Sequence, residues 1–571
     1  MRYALRETVL PKPAEFAAFS DALSNLLMNR GVKTLPDAQA FLNPSWESHV
    51  HDPFLMKDMD RAVARVYKAV KAGEKVVVFS DYDADGMPAG VVLHDLFKKI
   101  GFANFENYIP HRHNEGFGLS KAAIDGFKTG GATLLVTIDC GIGNIAEVTH
   151  ANSLGIDVIV ADHHLPHADL PASYAILNPK VAGCAYPEKM LCGSGVIFKF
   201  AQAFVKAHGA EFGVPAGWEK WLLDMVGIAT LSDMVPLTGE NRAFAHYGLA
   251  VLRKTRRPGL SRLFTKLRVS REHLSEDDIG FTITPRLNAA SRMGAADHAF
   301  RLLSTDDEAQ AGAYADALEH VNNERKGTVA SLVKEIRKAL ADRDIESKAA
   351  IVIGNPSWRP SLLGLVANSL SDEYGKPAFL WGRDGQGVIK GSCRSKGDLS
   401  VVAVMERAKE AFTEYGGHTA SGGFAVSPEQ IHTLEEKLCA AAAALTAESA
   451  AVPAARQEYV DGQIRLEEVG WELYRDIEKL APYGMGNPKP LFLIRGAFID
   501  AVKSFGKEKG HTELLLRDDN FRKLSAIMFF TPTDALPKHV APQGRADLVV
   551  HLEKSTFKNY PELRLRVVAI L

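Results

Sequence analysis

Asp81, Asp83 and Asp85 stand directly after an apolar run at residues 76–80, Asp139 after one at 134–138, and Asp162-His163-His164 after one at 158–161. Short Val/Ile-rich runs are how buried parallel strands read, and open α/β sheets bind ligands just past the carboxyl ends of their strands. The pattern therefore predicts that these side chains converge on one crevice. Carboxylates with imidazole suit Mn²⁺ or Mg²⁺ beside a phosphate. A phosphodiester resists hydrolysis because its anionic oxygens repel hydroxide and its leaving oxygen needs stabilisation, problems that two divalent ions roughly 3.5–4 Å apart both address. Asp83 and Asp85 leave one loop and can each reach a different ion, Asp139 on the next strand is placed to bridge, and His163 supplies a nitrogen. Asp233, at the end of the apolar stretch 229–231, is a further candidate ligand. Taken singly, each acid reads as an N-cap or a solvated loop residue; their recurrence at successive strand ends argues for metal. His164 keeps two readings, a supporting histidine and a proton donor or phosphate contact.

The elements that must position these groups are legible as a βαβ rhythm. From about residue 60 to 240, strand-like runs alternate with helical patterns at 62–71, 91–100 and 145–154. Glycines 86, 90, 141 and 143 mark strand-to-helix turns, and Gly141-Ile142-Gly143 reads as a tight turn. Thr305-Asp306-Asp307-Glu308 has the form of a capping box, followed by Val329, Leu332, Val333, Ile336 and Leu340 at helical spacing, which predicts a long helix bridging two lobes. Strand character restarts at 350–353, and Gly-rich turns at 382–391 and 416–423 mark a second α/β unit. An Ala-rich stretch at 440–455, broken by Pro453, reads as a linker, helical in its first half and with little reason to pack tightly. Beyond it, strand candidates at 491–494, 513–516, 524–529, 546–552 and 563–571 predict a small β-barrel. Phe505, Phe521, Phe557 and Tyr560 lie near Lys507, Lys509, Arg522, Lys523, Lys554 and Lys558, a mixture that could stack bases and contact backbone, although most such aromatics are core or edge residues.

The bulk numbers bound the rest. A chain of 571 residues with 46% hydrophobic and 24% charged residues suggests three or four soluble domains. No run approaches the roughly 18 apolar residues of a membrane span, and residues 1–10 lack a continuous apolar core, so a cytoplasmic location without membrane attachment is expected. Five cysteines, with no Cys-x-x-Cys pair, support neither a disulfide framework nor a structural zinc site. A net charge of −2 gives no global nucleic-acid footprint. Locally, residues 253–271 hold eight Lys or Arg and no acid, open to two readings, a solvated face or a phosphate-tracking surface.

Four motifs in order, Asp81-Tyr82-Asp83-Ala84-Asp85-Gly86, Thr137-Ile138-Asp139-Cys140-Gly141, Asp162-His163-His164 and Ser232-Asp233, resemble those of the DHH phosphoesterase superfamily. Within it the chain resembles the RecJ family of single-strand-specific 5′→3′ exonucleases. That match extends through Tyr108-Ile109-Pro110-His111-Arg112, Leu191-Cys192-Gly193-Ser194-Gly195, Pro285-Arg286-Leu287-Asn288-Ala289-Ala290-Ser291-Arg292, Gly391-Ser392-Cys393-Arg394-Ser395, Gly416-Gly417-His418 and Pro482-Tyr483-Gly484-Met485-Gly486-Asn487-Pro488, essentially the whole chain. The resemblance implies a multidomain α/β architecture. It comprises an N-terminal extension packing on the catalytic domain (1–58), a parallel-sheet DHH domain (59–303), a connecting helix (304–345), a smaller α/β DHHA1 domain (346–450) and a C-terminal OB-like barrel that binds single strands (451–571).

It further implies two Mn²⁺ or Mg²⁺ ions on Asp83, Asp85, Asp139, His163 and Asp233, with Asp81 as an additional ligand or an orienting acid, and His164 against the scissile phosphate. Arg112, Ser392 and Arg394 resemble the pocket for a 5′-terminal phosphate, where a guanidinium fork suits phosphate oxygens. Arg286, Asn288, Arg292, Gly417 and His418 resemble strand-binding residues. The implied partners are single-stranded DNA, a helicase and a single-strand-binding protein, for an enzyme acting as a monomer in DNA repair and recombination. Three positions depart from the family pattern: Arg359 stands where a histidine is usual, Cys393 where a glycine is usual, and Met87-Pro88 in place of a Thr-containing turn. Two other readings stay open, a DHH hydrolase of short oligonucleotides or cyclic dinucleotides, and a non-catalytic replication scaffold; such scaffolds typically lose metal ligands.

Overall fold

A computed structural model describes residues 3–6, 12–396, 399–450, 458–506, 509–555 and 560–571. Lys507, Phe557 and Lys558 of the barrel's aromatic and basic mixture, and residues 451–455 of the expected linker, lie outside them. The chain divides into two units, His51–Val235 with Tyr247–Pro453, and Met1–Val50 with Pro236–His246 and Ala454–Leu571.

In the first unit the Val/Ile-rich runs form five strands, β1 (Lys75–Ser80), β2 (Phe105–Tyr108), β3 (Ala132–Ile138), β4 (Asp157–Ala161) and β5 (Ala175–Leu177). All are parallel, in the order β2-β1-β3-β4-β5. Val76, Val77 and Val78 are all fully buried, as in a sheet covered on both faces. The order reverses at β1, so a crevice opens between the carboxyl ends of β1 and β3, where such sheets hold their ligands. Around it stand α1 (Gly86–Lys99), α2 (Ile145–Ser153), α3 (Gly193–His208) and α4 (Leu223–Ser232). Helix α4 is buried from Leu223 through Thr230, and is apolar there except for Asp224 and Thr230.

Next come α5 (Thr284–Arg292) and α6 (Glu308–Ala341), the latter 34 residues and about 50 Å long. Its cap is not Thr305, as the capping-box reading expected. The Asp307 carboxylate accepts from the Ala309 and Gln310 N–H groups, while the Thr305 hydroxyl accepts from Asp307 N–H. Asp caps as well as Thr does, and one residue of Asp-Asp took the position.

The far half of α6 shares a core with a second sheet through Val333, Ile336 and Leu340. This sheet contains β6 (Ile351–Gly354), β7 (Ala378–Arg383), β8 (Ile389–Arg394), β9 (Glu414–His418) and β10 (Ser421–Val426), in the order β9-β10-β8-β7-β6. Only β6 and β7 pair in parallel. Helix α7 (Pro360–Tyr374) joins β6 to β7. The Ala-rich stretch is more structural than expected: helix α8 (Leu434–Ala450) buries Leu434, Leu438, Ala441 and Ala442 in the core on this sheet. Alanine allows a helix to pack closely, so low side-chain volume did not mean a loose linker.

In the second unit the strands β11 (Gly462–Gln463), β12 (Phe492–Phe505), β13 (His511–Arg517), β14 (Lys523–Met528), β15 (Arg545–Ser555) and β16 (Glu562–Ile570) are ordered β11-β12-β13-β14-β16-β15. Pairing of β15 back onto β12 closes the barrel. Of the expected N-terminal extension 1–58, residues 51–58 fall in the catalytic unit, and Met1–Val50 groups with the barrel. Phe16, Leu23, Leu26 and Leu27 share its core with Leu480, Ile494 and Leu548, and Tyr3–Leu5 pairs in parallel with Glu458–Val460. An apolar helix stripe announces that a partner exists without saying which. The Pro482–Pro488 motif is a clasp within this unit: Asn487 Nδ2 donates to the Leu480 and Pro482 carbonyls, each at 2.8 Å, and its Oδ1 accepts from Arg30 Nε at 2.7 Å. Among the described residues no helix is long and apolar enough to cross a membrane.

Candidate active site

The acids line up because each is pinned by its neighbouring strand. Asp81 N–H donates to the Ile138 carbonyl, Asp139 N–H to that of Ala161 and Asp162 N–H to that of Leu177. Each acid is therefore the first residue past its strand, held in one row along the sheet's carboxyl edge. Asp139 makes its turn at φ 62° and is followed by Gly141 at φ 111°. Two glycines let other backbone come close. A Cβ at Gly193 would stand 2.6 Å from that of Asp139, and one at Gly86 would stand 2.5 Å from the Asp81 carbonyl.

Asp83 Oδ1 accepts from Asp85 N–H and Gly86 N–H, which starts α1. The Asp85 carboxylate accepts from Gly193 N–H at 2.6 Å and Ser194 N–H at 2.7 Å, the N-terminus of α3. His163 is central: its Nε2 lies 3.1 Å from Asp139 Oδ1 and 3.8 Å from Asp85 Oδ2 and from Asp233 Oδ2. Three sets of side chains can each gather ligand atoms within 4.8 Å: Asp81 with Asp83 and Asp139, Asp85 with His163 and Asp233, and Asp139 with His163 and His164.

The electrostatics of this cluster are unfavourable as it stands. Burial, reinforced by Asp85 and the other neighbouring carboxylates, pushes the Asp139 carboxyl well above its ordinary range. Burial and then Asp83 raise Asp81, and raise Asp85 to about 6; burial and then Asp85 raise Asp233 to about 8. Buried Oδ1 atoms of Asp81 and Asp139 accept no hydrogen bond. Burial, and then His164, lower His163 to about 3, so its imidazole is neutral with a lone pair available. Unpartnered carboxylate oxygens around a neutral imidazole fit divalent cations as a donor set.

Asp162 does different work. Its Oδ1 accepts from His163 N–H, His164 N–H and His164 Nδ1, the last at 2.8 Å, and its Oδ2 accepts from Ile142 N–H. Burial opposes ionisation of Asp162, but these bonds outweigh it and hold the carboxyl below its ordinary value. Burial likewise opposes the His164 cation, and Asp162 outweighs it, raising the imidazole. The Asn178 amide and Lys180 ammonium hold the His164 and His163 carbonyls. Sequence reasoning missed Asn178 and Lys180, although they follow β5 as the acids follow the other strands.

Basic groups gather on the other side of the cleft within this unit. Arg112 lies 4.8 Å over the Tyr82 ring, Arg394 Nη1 bonds the Cys393 carbonyl, and Arg292 Nη1 bonds the Ser361 carbonyl while Ser361 Oγ bonds that of Arg292. Burial and then Arg112, Arg394 and Arg325 lower Arg292 to about 9. Among the described residues none of Arg112, Arg292 and Arg394 pairs with a carboxylate. Ser392, two residues before Arg394 on β8, lies on the same strand face.

The other expected strand contacts differ. Arg286 is neutralised by Glu319 at 2.9 Å, and the Asn288 Oδ1 accepts from Ala84 N–H, holding the loop of Asp83 and Asp85. Gly417 and His418 are exposed at the β9–β10 turn, Gly417 at φ +145°. The basic run 253–271 is largely consumed internally: Arg257 pairs with Asp95 and Asp224, Arg262 with Glu308, Lys266 with Asp316, and Arg253 and Arg271 bond carbonyls. Of the three departures, Cys393 turns into the core against Met405, away from the Arg394 face; Pro88 sits in the first turn of α1, where its missing N–H costs little; Arg359 is exposed at the N-terminal boundary of α7 and makes no side-chain capping bond.

Comparison with known proteins agrees with this geometry. Residues 75–230 match the model of the DHH family, N-terminal domain; residues 346–444 match the DHHA1 domain and 460–569 the RecJ OB domain. The single-stranded-DNA-specific exonuclease RecJ of Bacillus subtilis is 33% identical over 552 residues, 96% of this chain and 68% of that protein. RecJ of Escherichia coli is 29% identical over 489 residues, 82% of each chain. The crystal structure of RecJ in complex with Mn²⁺ from Thermus thermophilus superposes with a TM-score of 0.82 at 26% identity, covering 100% of this chain and 79% of that one. With its acid-tipped parallel sheet, second α/β lobe and closed barrel, this chain belongs to the RecJ family of DHH phosphoesterases.

Proposed function

We propose that this protein is a single-strand-specific 5′→3′ exodeoxyribonuclease that hydrolyses DNA phosphodiester bonds to 5′-mononucleotides with two divalent cations, Mn²⁺ or Mg²⁺. The observation that carries this reading is the row of buried, mutually repelling carboxylates with unbonded oxygens at the sheet's switch point, faced by a neutral His163. Asp83, Asp85, Asp139, His163 and Asp233 would hold the ions, Asp139 being common to two of the candidate ligand groups, with Asp81 as a further ligand or orienting acid. Ions held there would supply the activation of a water nucleophile and would offset charge on the phosphoryl oxygens.

The protein's own groups supply the positioning. Burial opposes the His164 cation, but the hydrogen bond from its Nδ1 to Asp162 favours it, which leaves Nε2 to face the scissile phosphate. The α3 N-terminus fixes Asp85, and Asn288 fixes the backbone between Asp83 and Asp85. Arg112, Ser392 and Arg394 take the 5′-terminal phosphate, with Arg292 adding charge behind them. Gly417 and His418, at the exposed turn, lie along the strand's path, and Arg286 contributes by orienting α5 through Glu319. Single-stranded DNA is the substrate; a helicase and a single-strand-binding protein would supply opened ends to a monomeric enzyme working in the cytoplasm in repair and recombination.

The scaffold reading is not favoured, because every expected ligand is present, and the small-substrate reading is not favoured because the barrel and connecting helix extend the chain well beyond a minimal hydrolase. The deciding experiment is degradation of 5′- or 3′-end-labelled single strands and blunt duplex with Mn²⁺. Progressive loss from the 5′ end of single strands is expected; equal digestion from the 3′ end, or none, would overturn the reading.

A further inference from the structure

Phe117 takes no part in the machinery described so far. Its ring is 56% exposed, yet its centroid stands 5.6 Å from that of His164, edge-on at 70°. The loop that carries it is firmly built. Gly116 and Gly118 flank it at φ +86° and +80°, conformations open to glycine and to few other residues. Glu115 accepts from His111 N–H and from the Tyr108 hydroxyl, each at 2.6 Å, on one side; on the other, Leu119 N–H donates to Asn144 Oδ1. The β7–β8 turn supports it as well, with Gly385 N–H donating to the His113 carbonyl and Gln386 Nε2 to that of Asn114. An apolar ring kept in water beside a reactive centre by so many anchors has a fixed position to offer a ligand.

Phe117 lines a cavity of about 470 Å³ together with Arg112, Lys390, Gly416 and Gly423. Gly416 and Gly423 are partners across β9–β10. Neither has a left-handed φ; a Cβ at Gly416 would meet nothing within 4 Å, and one at Gly423 only the Gly391 carbonyl at 3.7 Å. Neither backbone conformation nor internal packing therefore requires glycine, although glycine within a strand lowers stability. Close approach of a ligand does require it. Gly423 pairs in turn with Ser392, so this bare strip runs on from the pocket assigned to the 5′ phosphate. An arginine for a phosphate, an open strip of peptide and an aromatic face together match one nucleotide.

We propose that Phe117 is a positioning residue that stacks on the base of the 5′-terminal nucleotide and holds it over the Gly416/Gly423 strip, so that the following phosphodiester lies at His164. The inference rests on the exonuclease reading above. Stacking uses a face that every base presents, so it tolerates any sequence.

The test compares wild type, Phe117→Ala and Phe117→Trp on a 5′-phosphorylated single strand whose terminal nucleotide is intact or abasic. Phe117→Ala should raise KM about tenfold on the intact strand with a smaller change in kcat, Phe117→Trp should restore it, and on the abasic strand the three should coincide. A 2-aminopurine at the 5′ terminus should be quenched on binding wild type and not on binding Phe117→Ala. An alanine effect equally large on the abasic strand would show that the ring acts only through its loop, and no effect on the intact strand would remove the contact altogether; either overturns the proposal. Failure of wild type to degrade the strand would defeat the exonuclease reading instead, and the quenching measurement, which needs no turnover, would still decide the stacking.

Discussion

The carboxylates past β1 and β3 and the guanidiniums of Arg112, Arg292 and Arg394 meet the same physical problem with opposite sign. Each group is a cluster of like charges, the acids mostly buried and the arginines half-buried. At the sheet edge, burial and mutual repulsion raise Asp81, Asp85, Asp139 and Asp233, so protons linger where cations are wanted. In the cleft, burial and neighbouring arginines lower Arg292 and Arg394. The acids have strand-end backbone and the α3 N-terminus to hold them, whereas the arginines lean on an aromatic ring and on carbonyls. The raised carboxyls should cost stability when the site is empty. A site can be recognised by the charge it lacks: one cluster asks for metal, the other for an anion.

The hardest break is Asp139→Ala. Loss of the carboxylate shared between two ligand sets should lower turnover by about a thousandfold or more while binding of 5′-phosphorylated single strands changes little, measured by nuclease assay and fluorescence anisotropy. Activity within tenfold of wild type would remove Asp139 from the metal set. Breaking the other cluster should cost less. Arg394→Ala should reduce the preference for a 5′ phosphate over a 5′ hydroxyl by roughly ten- to a hundredfold in KM, as expected for one charge-assisted phosphate contact. An unchanged preference would move that contact elsewhere.

A smaller effect sharpens the contrast through pH. Carboxyls whose folded pKa is raised contribute stability that is present below the unfolded value and lost as pH rises through the folded value. With Asp85 at about 6 and Asp233 at about 8, the melting temperature in chelator should fall as pH climbs from about 5 to about 8.5, and Mn²⁺ should flatten that slope. A metal-independent melting profile would contradict the electrostatic account. The smallest effect belongs to Cys393→Gly. Because the thiol points into the core, restoring the usual glycine should lower stability by about 1–2 kcal/mol in denaturant melts yet leave the 5′-phosphate preference unchanged.

Local pattern carried most of the fold. Buried parallel strands announce themselves as apolar runs, and the residue after each run is at the sheet's edge whatever the tertiary details, which is why Asp81, Asp139 and Asp162 were legible. The five barrel strand candidates were equally plain. Long-range pairing was not. Nothing local told that Glu319 would neutralise Arg286, that Asn288 would turn inward to Ala84, or that acids far along the chain would consume the basic run at 253–271. The core that Phe16, Leu23, Leu26 and Leu27 share with the barrel was not read from the sequence, and Phe117, a lone aromatic between two glycines, carries no periodic signal.

Asp139 adopts a left-handed backbone at φ 62°, where glycine or asparagine would sit at lower cost. Selection for a sturdier protein alone would therefore drift toward either residue at this position, and asparagine would preserve nearly the whole shape of the side chain. The acid marks a point where heritable fitness and thermodynamic ease diverge. In a gene freed from its nuclease duty, this codon should be among the first to change, and the protein it then encodes should be tougher and inert.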